Sequence, residues 1–340
     1  MTSNIPHAID LDGLARFLED AGRPLGPPTA FDVLGQGKSN LTFALTDASG
    51  RRAVLRRPPT GPLLPTAHDV LREARIMAAL APTGLPVPKV LATCSDPEVI
   101  GAPFALFELV DGVSVHDRRS AGAQTEPWRS QVGLELVAAL GDLHALAPAE
   151  LGLADLARPG AYVERQLRRW HQQWTATADG TVPLMGAVHD RLAADPPTQQ
   201  RAVLVHSDPK LDNCVFGRDG RLRALVDWEL ATIGDPLADL GLLLAYWAEA
   251  DDGETALQDP PSAVHGFATR TELVARYRAT TDLDLSELPV YLAFSYWKIG
   301  CIVQGVLARR RRSGEASDGV APFERQVARL AVMAAAALDA

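Results

Sequence analysis

The spacing of apolar residues along the chain changes near Gly112. Before that point, short runs rich in β-branched and aromatic residues predict strands at 41–46, 52–57, 89–93 and 104–110. Apolar residues on helical spacing predict helices at 11–21 and 68–84. The order of these elements predicts a small antiparallel β-sheet with one main helix.

Beyond Gly112 the chain is dominated by alanine- and leucine-rich segments with helical periodicity. They lie at 128–148, 161–178, 184–195, 239–250, 270–281, 288–314 and 323–340. Two short β-like runs, 202–206 and 222–228, interrupt them, and 314–322 is predicted to be a mobile loop. The sequence therefore predicts an α+β protein with a small β-rich lobe at 1–112 and a larger, mostly helical lobe at 113–340.

Composition and charge narrow the classes of protein that fit this pattern. Of 340 residues, 47% are hydrophobic and 22% are charged, which is ordinary for a globular protein. The 33 basic and 42 acidic residues give a net charge of -9, which argues against a nucleic-acid binder and fits a small-molecule enzyme.

The three cysteines, Cys94, Cys214 and Cys301, lie far apart, so neither a disulfide framework nor a zinc site is predicted. Neither a leader sequence nor an uninterrupted apolar run of about 18 residues is found. We therefore expect a cytoplasmic protein that does not bind membranes.

The stretch 204–240 concentrates one histidine, one lysine, one asparagine and six aspartates between apolar runs. Asp208 lies two residues after the first β-like run, which ends at His206, and Asp227 follows the strand-like part of the second. Catalytic residues often occupy loops at the ends of rigid elements, although a charge-rich stretch can also be a solvated surface loop.

The chemistry of these residues favours phosphoryl transfer. A hairpin through 217–220 would bring Asn213 near Asp227 and supply two oxygen ligands, which suffice for Mg²⁺ when phosphates and water complete its shell. Asp208 is placed to accept or orient the proton of a substrate hydroxyl, and Lys210 to neutralise a transferring phosphoryl group.

These motifs resemble those of the aminoglycoside phosphotransferase and choline kinase-like family. "HSDPKLDN" (206–213) is similar to the catalytic loop of that family, and "VDWELATIGDPLADL" (226–240) to its metal-binding segment. Further segments are similar to the kinase-like domains fused to some acyl-CoA dehydrogenases: "GQGKSNLTF", "VLRRPP", "REARIMAAL" and "YVERQLRRW". The resemblance implies a bilobal protein-kinase-like fold and an ATP-dependent kinase of a small hydroxylated molecule, with hydroxyacyl-CoA among its acceptors.

The resemblance also implies a role for each polar residue of the catalytic segment. Asp208 would be the catalytic aspartate, and Asn213 with Asp227 would bind Mg²⁺. Lys210 would lie near the γ-phosphate of ATP, and His206 would be a structural member of the loop.

Two further aspartates, Asp235 and Asp239, would tie the catalytic loop to the helix that follows it. Capping of that helix is an equally good and compatible interpretation. Because "DWE" (227–229) stands where protein kinases carry D-F-G, a switch based on the phenylalanine is not expected.

The nucleotide-binding residues are expected in the N-terminal lobe. Gly35 and Gly37 would allow the backbone to cover the ATP phosphates. A third glycine of the protein-kinase pattern would fall at Asn40, so the side chains of Ser39 and Asn40 would supply phosphate contacts instead.

Arg56 occupies the position at which the protein-kinase pattern has lysine, and Glu73 on the following helix is its expected ion-pair partner. The alternative is an exposed strand residue and a solvated helix face. Phe107, Glu108 and Leu109 would belong to the hinge whose backbone meets adenine.

The acceptor is the least defined partner. The arginine groups at 165–169 and 309–312 would suit an anionic acceptor if they flank the site, although solvated helix ends are the simpler interpretation. Two rival hypotheses remain: a nucleotide-binding pseudokinase, favoured by Arg56 and the missing glycine, and an aminoglycoside-modifying kinase, which differs only in its acceptor.

Overall fold

The computed structural model describes residues 9–19, 25–34, 40–60, 69–253, 255–314 and 316–340. The chain divides into two compact units. The first unit comprises Met1–Gly112 with Arg223–Glu229, and the second comprises Val113–Leu222 with Leu230–Ala340. The sequence pattern does not predict that Arg223–Glu229 belongs to the first unit.

The first unit is built on an antiparallel sheet. Its strands and helices are α1 (Leu11–Glu19), β1 (Pro28–Val33), β2 (Leu41–Asp47), β3 (Arg52–Arg57), α2 (Val70–Leu80), β4 (Val90–Cys94) and β5 (Phe104–Glu108). The strands lie in the order β1-β2-β3-β5-β4, and each neighbouring pair is antiparallel. Strand β1 was not predicted, because this edge strand leaves four of its six residues exposed and shows no apolar alternation.

The core of this unit forms between α1 and one face of the sheet. Leu14 and Leu18 of α1 are buried with Leu45 and Leu55 of β2 and β3. Phe17 packs edge-to-face against Phe104 of β5, with ring centroids 5.0 Å apart. This packing fixes the sheet that carries Arg56.

Helix α2 begins where Asp69 accepts a hydrogen bond from the backbone N–H of Arg72 at 2.9 Å, which caps the first turn. It passes into a short 3₁₀ turn and ends at Gly84, whose φ of 86° is left-handed. The buried face of α2 is apolar except for Glu73. A carboxylate in that position requires a partner.

The second unit is mostly helical. Its helices and strands are α3 (Arg118–Gly122), α4 (Glu126–His144), α5 (Tyr162–Thr177), α6 (Leu184–Ala194), β6 (Val203–Val205), β7 (Cys214–Phe216), β8 (Leu222–Leu225), β9 (Thr232–Gly234), α7 (Pro236–Tyr246), α8 (Arg270–Arg278), α9 (Leu288–Arg312) and α10 (Ser317–Leu338). Strand β8 begins in this unit at Leu222 and continues into Arg223–Glu229, which belongs to the first unit. The predicted loop at 314–322 is wrong from Ser317 onward, because packing of α10 against α9 overrides the local glycine and proline content.

Helices α7 and α9 form the centre of this unit. A Cβ atom at Gly241 of α7 would lie 2.8 Å from the carbonyl oxygen of Tyr291, so glycine permits the close approach of the two helices. Among the described residues, α9 is the one helix long and apolar enough to cross a membrane, and 78% of its apolar window is buried inside the protein. Burial of that extent is typical of a core helix.

Candidate active site

The loop after β6 carries the residues predicted to be catalytic. Strand β6 pairs antiparallel with β9 and ends at Val205. His206 is the first residue of the loop, so the strand fixes where the loop begins. Ser207 has a φ of 69°, which is a left-handed conformation unusual for a residue with a side chain. The turn at 217–220, beyond β7, closes with hydrogen bonds from Gly217 N to Arg221 O at 2.8 Å and from Gly220 N to Gly217 O at 3.0 Å.

Asp239 of α7 holds this strained loop. Its Oδ2 accepts a hydrogen bond from the backbone N–H of His206 at 2.6 Å, and its Oδ1 accepts one from that of Ser207 at 2.8 Å. Asp239 is 1% exposed, so both bonds form away from water. Charge-assisted bonds of this kind stabilise a loop conformation that the backbone alone would not favour.

A second layer fixes Asp239 itself. His144 of α4 places Nε2 3.4 Å from Asp239 Oδ2, and its Nδ1 lies 2.7 Å from the hydroxyl of Tyr277 on α8. All three side chains are buried. His144 and Tyr277 were not identified from the sequence, because one histidine or tyrosine within a helical pattern is indistinguishable from an ordinary packing position.

Asp208 lies in this loop with 16% of its side chain accessible. Its Oδ2 lies 2.9 Å from Lys210 Nζ and accepts a hydrogen bond from Asn213 Nδ2 at 2.9 Å. Burial acts to raise the pKa of Asp208, but Lys210, His206 and Asn213 outweigh it and lower the pKa below its usual value. Asp208 is therefore an anion at neutral pH.

Tyr246, in the last turn of α7, completes the surroundings of Asp208. Its hydroxyl bonds to the Asp208 carboxylate, and burial together with the charge of Asp208 raises its pKa well above the ordinary value. Lys210 Nζ lies 5.8 Å from the centre of the Tyr246 ring, within cation–π distance. The tyrosine and the lysine thus both interact with the Asp208 carboxylate.

Asp235 has a different task from Asp239. Its Oδ1 accepts the backbone N–H of Leu237 at 3.0 Å and so caps α7, and its Oδ2 accepts the hydroxyl of Tyr291 at 2.6 Å. Two roles were predicted for these aspartates, helix capping and a tie to the catalytic loop. Asp235 caps the helix, and Asp239 bonds to the loop. Burial raises the pKa of Asp235 to about 6.

We expect Asp235→Asn to change how stability depends on pH. The folded protein keeps a proton on Asp235 that the unfolded chain releases above about pH 4, so stability is lost as the pH rises through about 6. An asparagine retains the cap without titrating. Relative to wild type, the free energy of unfolding of Asp235→Asn should rise by about 2–3 kcal/mol between pH 4 and 7 in urea titrations. A constant difference across that range would contradict the assignment.

In the first unit, Arg56 of β3 joins two acids. Nη1 lies 2.6 Å from Glu73 Oε1, and Nη2 lies 3.0 Å from Asp227 Oδ1. The predicted pairing of Arg56 with Glu73 is confirmed, whereas the contact with Asp227 was not foreseen. Burial raises the pKa of Glu73 to about 7, opposed chiefly by the charge of Arg56.

The segment Arg223–Glu229 is tied to this unit by several further hydrogen bonds. Trp228 N donates to Glu73 Oε1 at 3.2 Å. Asn40 Nδ2 donates to Glu229 Oε2, and Arg72 Nη1 donates to the backbone carbonyl of Glu229, both at 3.1 Å. Asn40 is 3% exposed and its amide meets Glu229, while the predicted contact with phosphate stays a prediction.

We expect Arg56→Lys to weaken the first unit, because one ammonium group cannot reproduce the planar fork that spans two carboxylates. The free energy of unfolding should fall by about 1–2 kcal/mol in urea titrations. Arg52→Lys on the same strand is the matched control, because Arg52 is 51% exposed, and should change stability by less than about 0.5 kcal/mol. Equal effects of both variants would contradict the bridging role.

The remaining predicted nucleotide ligands have mixed positions. Gly35, Gly37 and Ser39 lie outside the described residues. Phe107 and Glu108 end β5, where the backbone N–H of Glu108 donates to the Lys89 carbonyl at 2.8 Å. Leu109 directly follows the strand. Their hinge role stays a prediction.

The two predicted Mg²⁺ ligands fall in different units, so their proximity stays a prediction. In each unit, the predicted ligand keeps an oxygen atom that could bind Mg²⁺. Asn213 donates Nδ2 to Asp208 and keeps Oδ1 for a cation, and Asp227 is 33% exposed with Oδ1 on Arg56 and Oδ2 remaining. Among the described residues, no group of three or more histidines, cysteines or acids could hold a metal alone. Such a donor set suits an ion that also binds phosphates and water.

Comparison with known proteins identifies the family to which most of the chain is similar. Residues 31–278 match the model of the phosphotransferase enzyme family (APH). Over 320 residues the chain is 34% identical to acyl-CoA dehydrogenase family member 10 of Mus musculus. The matched region covers 92% of this chain and 30% of that protein. The chain therefore spans less than a third of the length of this relative.

Solved structures show the same fold. A Ralstonia eutropha protein described as a candidate aminoglycoside phosphotransferase superposes with a TM-score of 0.80 at 27% identity, over 97% of this chain and 98% of that chain. A thermostable variant of an aminoglycoside phosphotransferase, in ternary complex with AMP-PNP and hygromycin B, gives 0.64 at 18% identity, over 95% and 99%. The predicted α+β class and protein-kinase-like fold are confirmed.

Proposed function

The chain belongs to the phosphotransferase enzyme family, and on that premise we propose that it transfers the γ-phosphoryl group of ATP to a hydroxyl group of a small metabolite. The observation that carries this proposal is the geometry of Asp208. It is anionic, partly exposed, and held by Lys210 and Asn213 at 2.9 Å each.

Asp208 is the proposed acceptor of the hydroxyl proton. A carboxylate with a lowered pKa is a weak base, so its main effect is to hold the hydroxyl in line with the γ-phosphorus. It takes the hydroxyl proton as the new O–P bond forms and the bond between the γ-phosphorus and the bridging oxygen breaks, which releases ADP. Phosphoryl transfer depends on positioning and charge stabilisation more than on covalent help, and this role suffices. Lys210 lies beside Asp208 to offset negative charge on the transferring group.

ATP and Mg²⁺ are the proposed cofactors. The ternary complex of the aminoglycoside phosphotransferase with AMP-PNP supports a nucleoside triphosphate. Asn213 and Asp227 would hold Mg²⁺, which would neutralise charge on the phosphates. In the first unit Arg56, already anchored by Glu73 and Asp227, would contact the phosphates.

The proposed acceptor is a hydroxyacyl-CoA. The likeness to acyl-CoA dehydrogenase family member 10 supports an acyl-CoA substrate, and because the chain spans 30% of that protein, no dehydrogenase activity is proposed. Aminoglycoside modification shares the chemistry and differs only in the acceptor. A cytoplasmic location stays a prediction.

The test is a screen for phosphate transfer from Mg²⁺–ATP to hydroxyacyl-CoAs, aminoglycosides, amino alcohols and sugars, followed by product mass and ADP release. We expect turnover with a hydroxyacyl-CoA. Turnover with aminoglycosides alone would replace that acceptor class. ATP binding without turnover of any acceptor would instead support the pseudokinase hypothesis.

A further inference from the structure

Lys298 is a charged residue on the buried part of α9. It is 7% exposed and lies among Trp297, Ile299 and other buried residues. Its ammonium group makes no hydrogen bond or ion pair with the residues that the structure describes. A lysine that is largely buried without a bonded partner is costly, so its position needs an explanation.

The position of Lys298 relates it to the catalytic loop. It lies two helical turns beyond Tyr291, on the face of α9 whose tyrosine hydroxyl bonds to Asp235 of α7. The charges of Asp208 and Asp239 act on its ammonium: burial lowers the pKa of Lys298, and these two carboxylates oppose that effect. Both oxygens of Asp239 already accept loop N–H groups.

Arg169 of α5 adds a second positive charge. Its side chain is exposed, its guanidinium lies 5.2 Å from the centre of the Trp170 ring, and it forms no ion pair within the described part of the chain. Helices α5 and α9 are joined by a hydrogen bond at 3.2 Å from Gln173 Nε2, one turn beyond Arg169, to the carbonyl of Cys301, one turn beyond Lys298. Arg169 and Lys298 therefore lie along the same stretch of this helix pair, and the charge of Arg169 acts to lower the pKa of Lys298.

The carboxylates of Asp208 and Asp239 are already bonded to other groups, so the Lys298 ammonium keeps its hydrogen-bond donors for an electronegative ligand atom. We propose that Lys298, assisted by Arg169, binds a thioester carbonyl or carboxylate oxygen of the acceptor close to the hydroxyl that Asp208 orients. This inference rests on the proposed function and names the part of the acceptor that the site selects. Lys298 thereby favours hydroxyacyl acceptors over amino alcohols and aminoglycosides, whose ammonium groups it repels.

The test compares wild type with Lys298→Met on three acceptors of equal chain length: a hydroxyacyl-CoA, the free hydroxy acid and an alcohol without the carbonyl group. We expect KM for the first two to rise about 10- to 100-fold, with KM for ATP and for the plain alcohol unchanged. Lys89→Met, at an exposed lysine, is the matched control and should change none of these values. A uniform loss on all three acceptors would overturn the inference.

Stability separates this role from a structural one. Because Lys298 has no protein partner among the described residues, its replacement by methionine should leave Tm unchanged or raise it, whereas removal of a structural ion pair would lower it. A marked fall in Tm would overturn the inference. Arg169→Met, at an exposed cation, should raise KM for the hydroxy acid by a smaller factor, about 2- to 5-fold.

A binding measurement keeps the two proposals distinguishable. Calorimetry of the full chain with Mg²⁺–AMP-PNP and the hydroxy acid should show about 10-fold or greater weakening in Lys298→Met. Binding that depends on Lys298 without any phosphorylation would reject the proposed function and keep the acceptor subsite. Phosphorylation with equal Kd in both proteins would keep the function and reject the subsite.

Discussion

Asp208→Asn is expected to lower kcat about 10²- to 10⁴-fold, the range that a positioned general base contributes. An asparagine matches the shape of the aspartate, but its amide cannot accept the hydroxyl proton, and Lys210 loses its carboxylate at 2.9 Å. Binding of Mg²⁺–ATP should change little, because Asp208 is proposed to act on the acceptor. The measurement is steady-state kinetics with the best acceptor, beside equilibrium nucleotide binding.

The matched control is Asp219→Asn in the exposed turn after β7. Asp219 accepts the backbone N–H of Arg221 at 3.2 Å, a bond that asparagine keeps, so kcat should stay within about 2-fold of wild type. A kcat for Asp208→Asn as high as that of the control would remove Asp208 from the reaction. Loss of nucleotide binding in Asp208→Asn would instead assign Asp208 to the cofactor.

The helices of the second unit were largely predictable from sequence, since long 3.6-residue periodicity reflects one buried face. Predicted segments at 161–178 and 288–314 became Tyr162–Thr177 and Leu288–Arg312. The three-residue strands β7 and β9 were missed, because runs of that length carry no period.

The acids of the catalytic loop were also predictable, because they cluster in sequence beside strand ends. The residues that fix them were not, because Tyr246 and Tyr291 follow the spacing of their helices, and aromatic residues on helical spacing usually pack in the core. Their contact with an aspartate depends on how helices pack. Sequence spacing does not report that packing, and Lys298 was missed for the same reason.

The Arg56–Glu73 pair was predictable as a strand residue followed by a helix residue, but its link to Asp227 was not. That link depends on Arg223–Glu229 returning to the first unit, held by Leu225 N on the Pro86 carbonyl at 2.8 Å. Asp227 has a φ of 66°, a strained conformation that positions its carboxylate for Arg56. Long-range hydrogen bonds of this kind leave no local pattern.

The second large effect is expected for Asp239→Asn. Its carboxylate accepts both backbone N–H groups at the start of the catalytic loop, and an amide of the same shape would turn a donor toward one of them. One of the two buried backbone N–H groups would lose its acceptor, and the other would donate to a neutral amide oxygen instead of a charged carboxylate. The free energy of unfolding should fall by about 2–4 kcal/mol in urea titrations of the full chain.

Activity should fall as well, because the left-handed Ser207 next to Asp208 depends on this carboxylate. We expect kcat to drop about 10-fold or more even under conditions in which the variant is fully folded. Asp235→Asn is the control on the same helix: it keeps the cap on Leu237 and does not touch the loop, so its kcat should stay near wild type. If Asp239→Asn were as stable and active as that control, Asp239 would be a passive buried acid, and the conformation of the loop would have to be maintained by β6 and β9 alone.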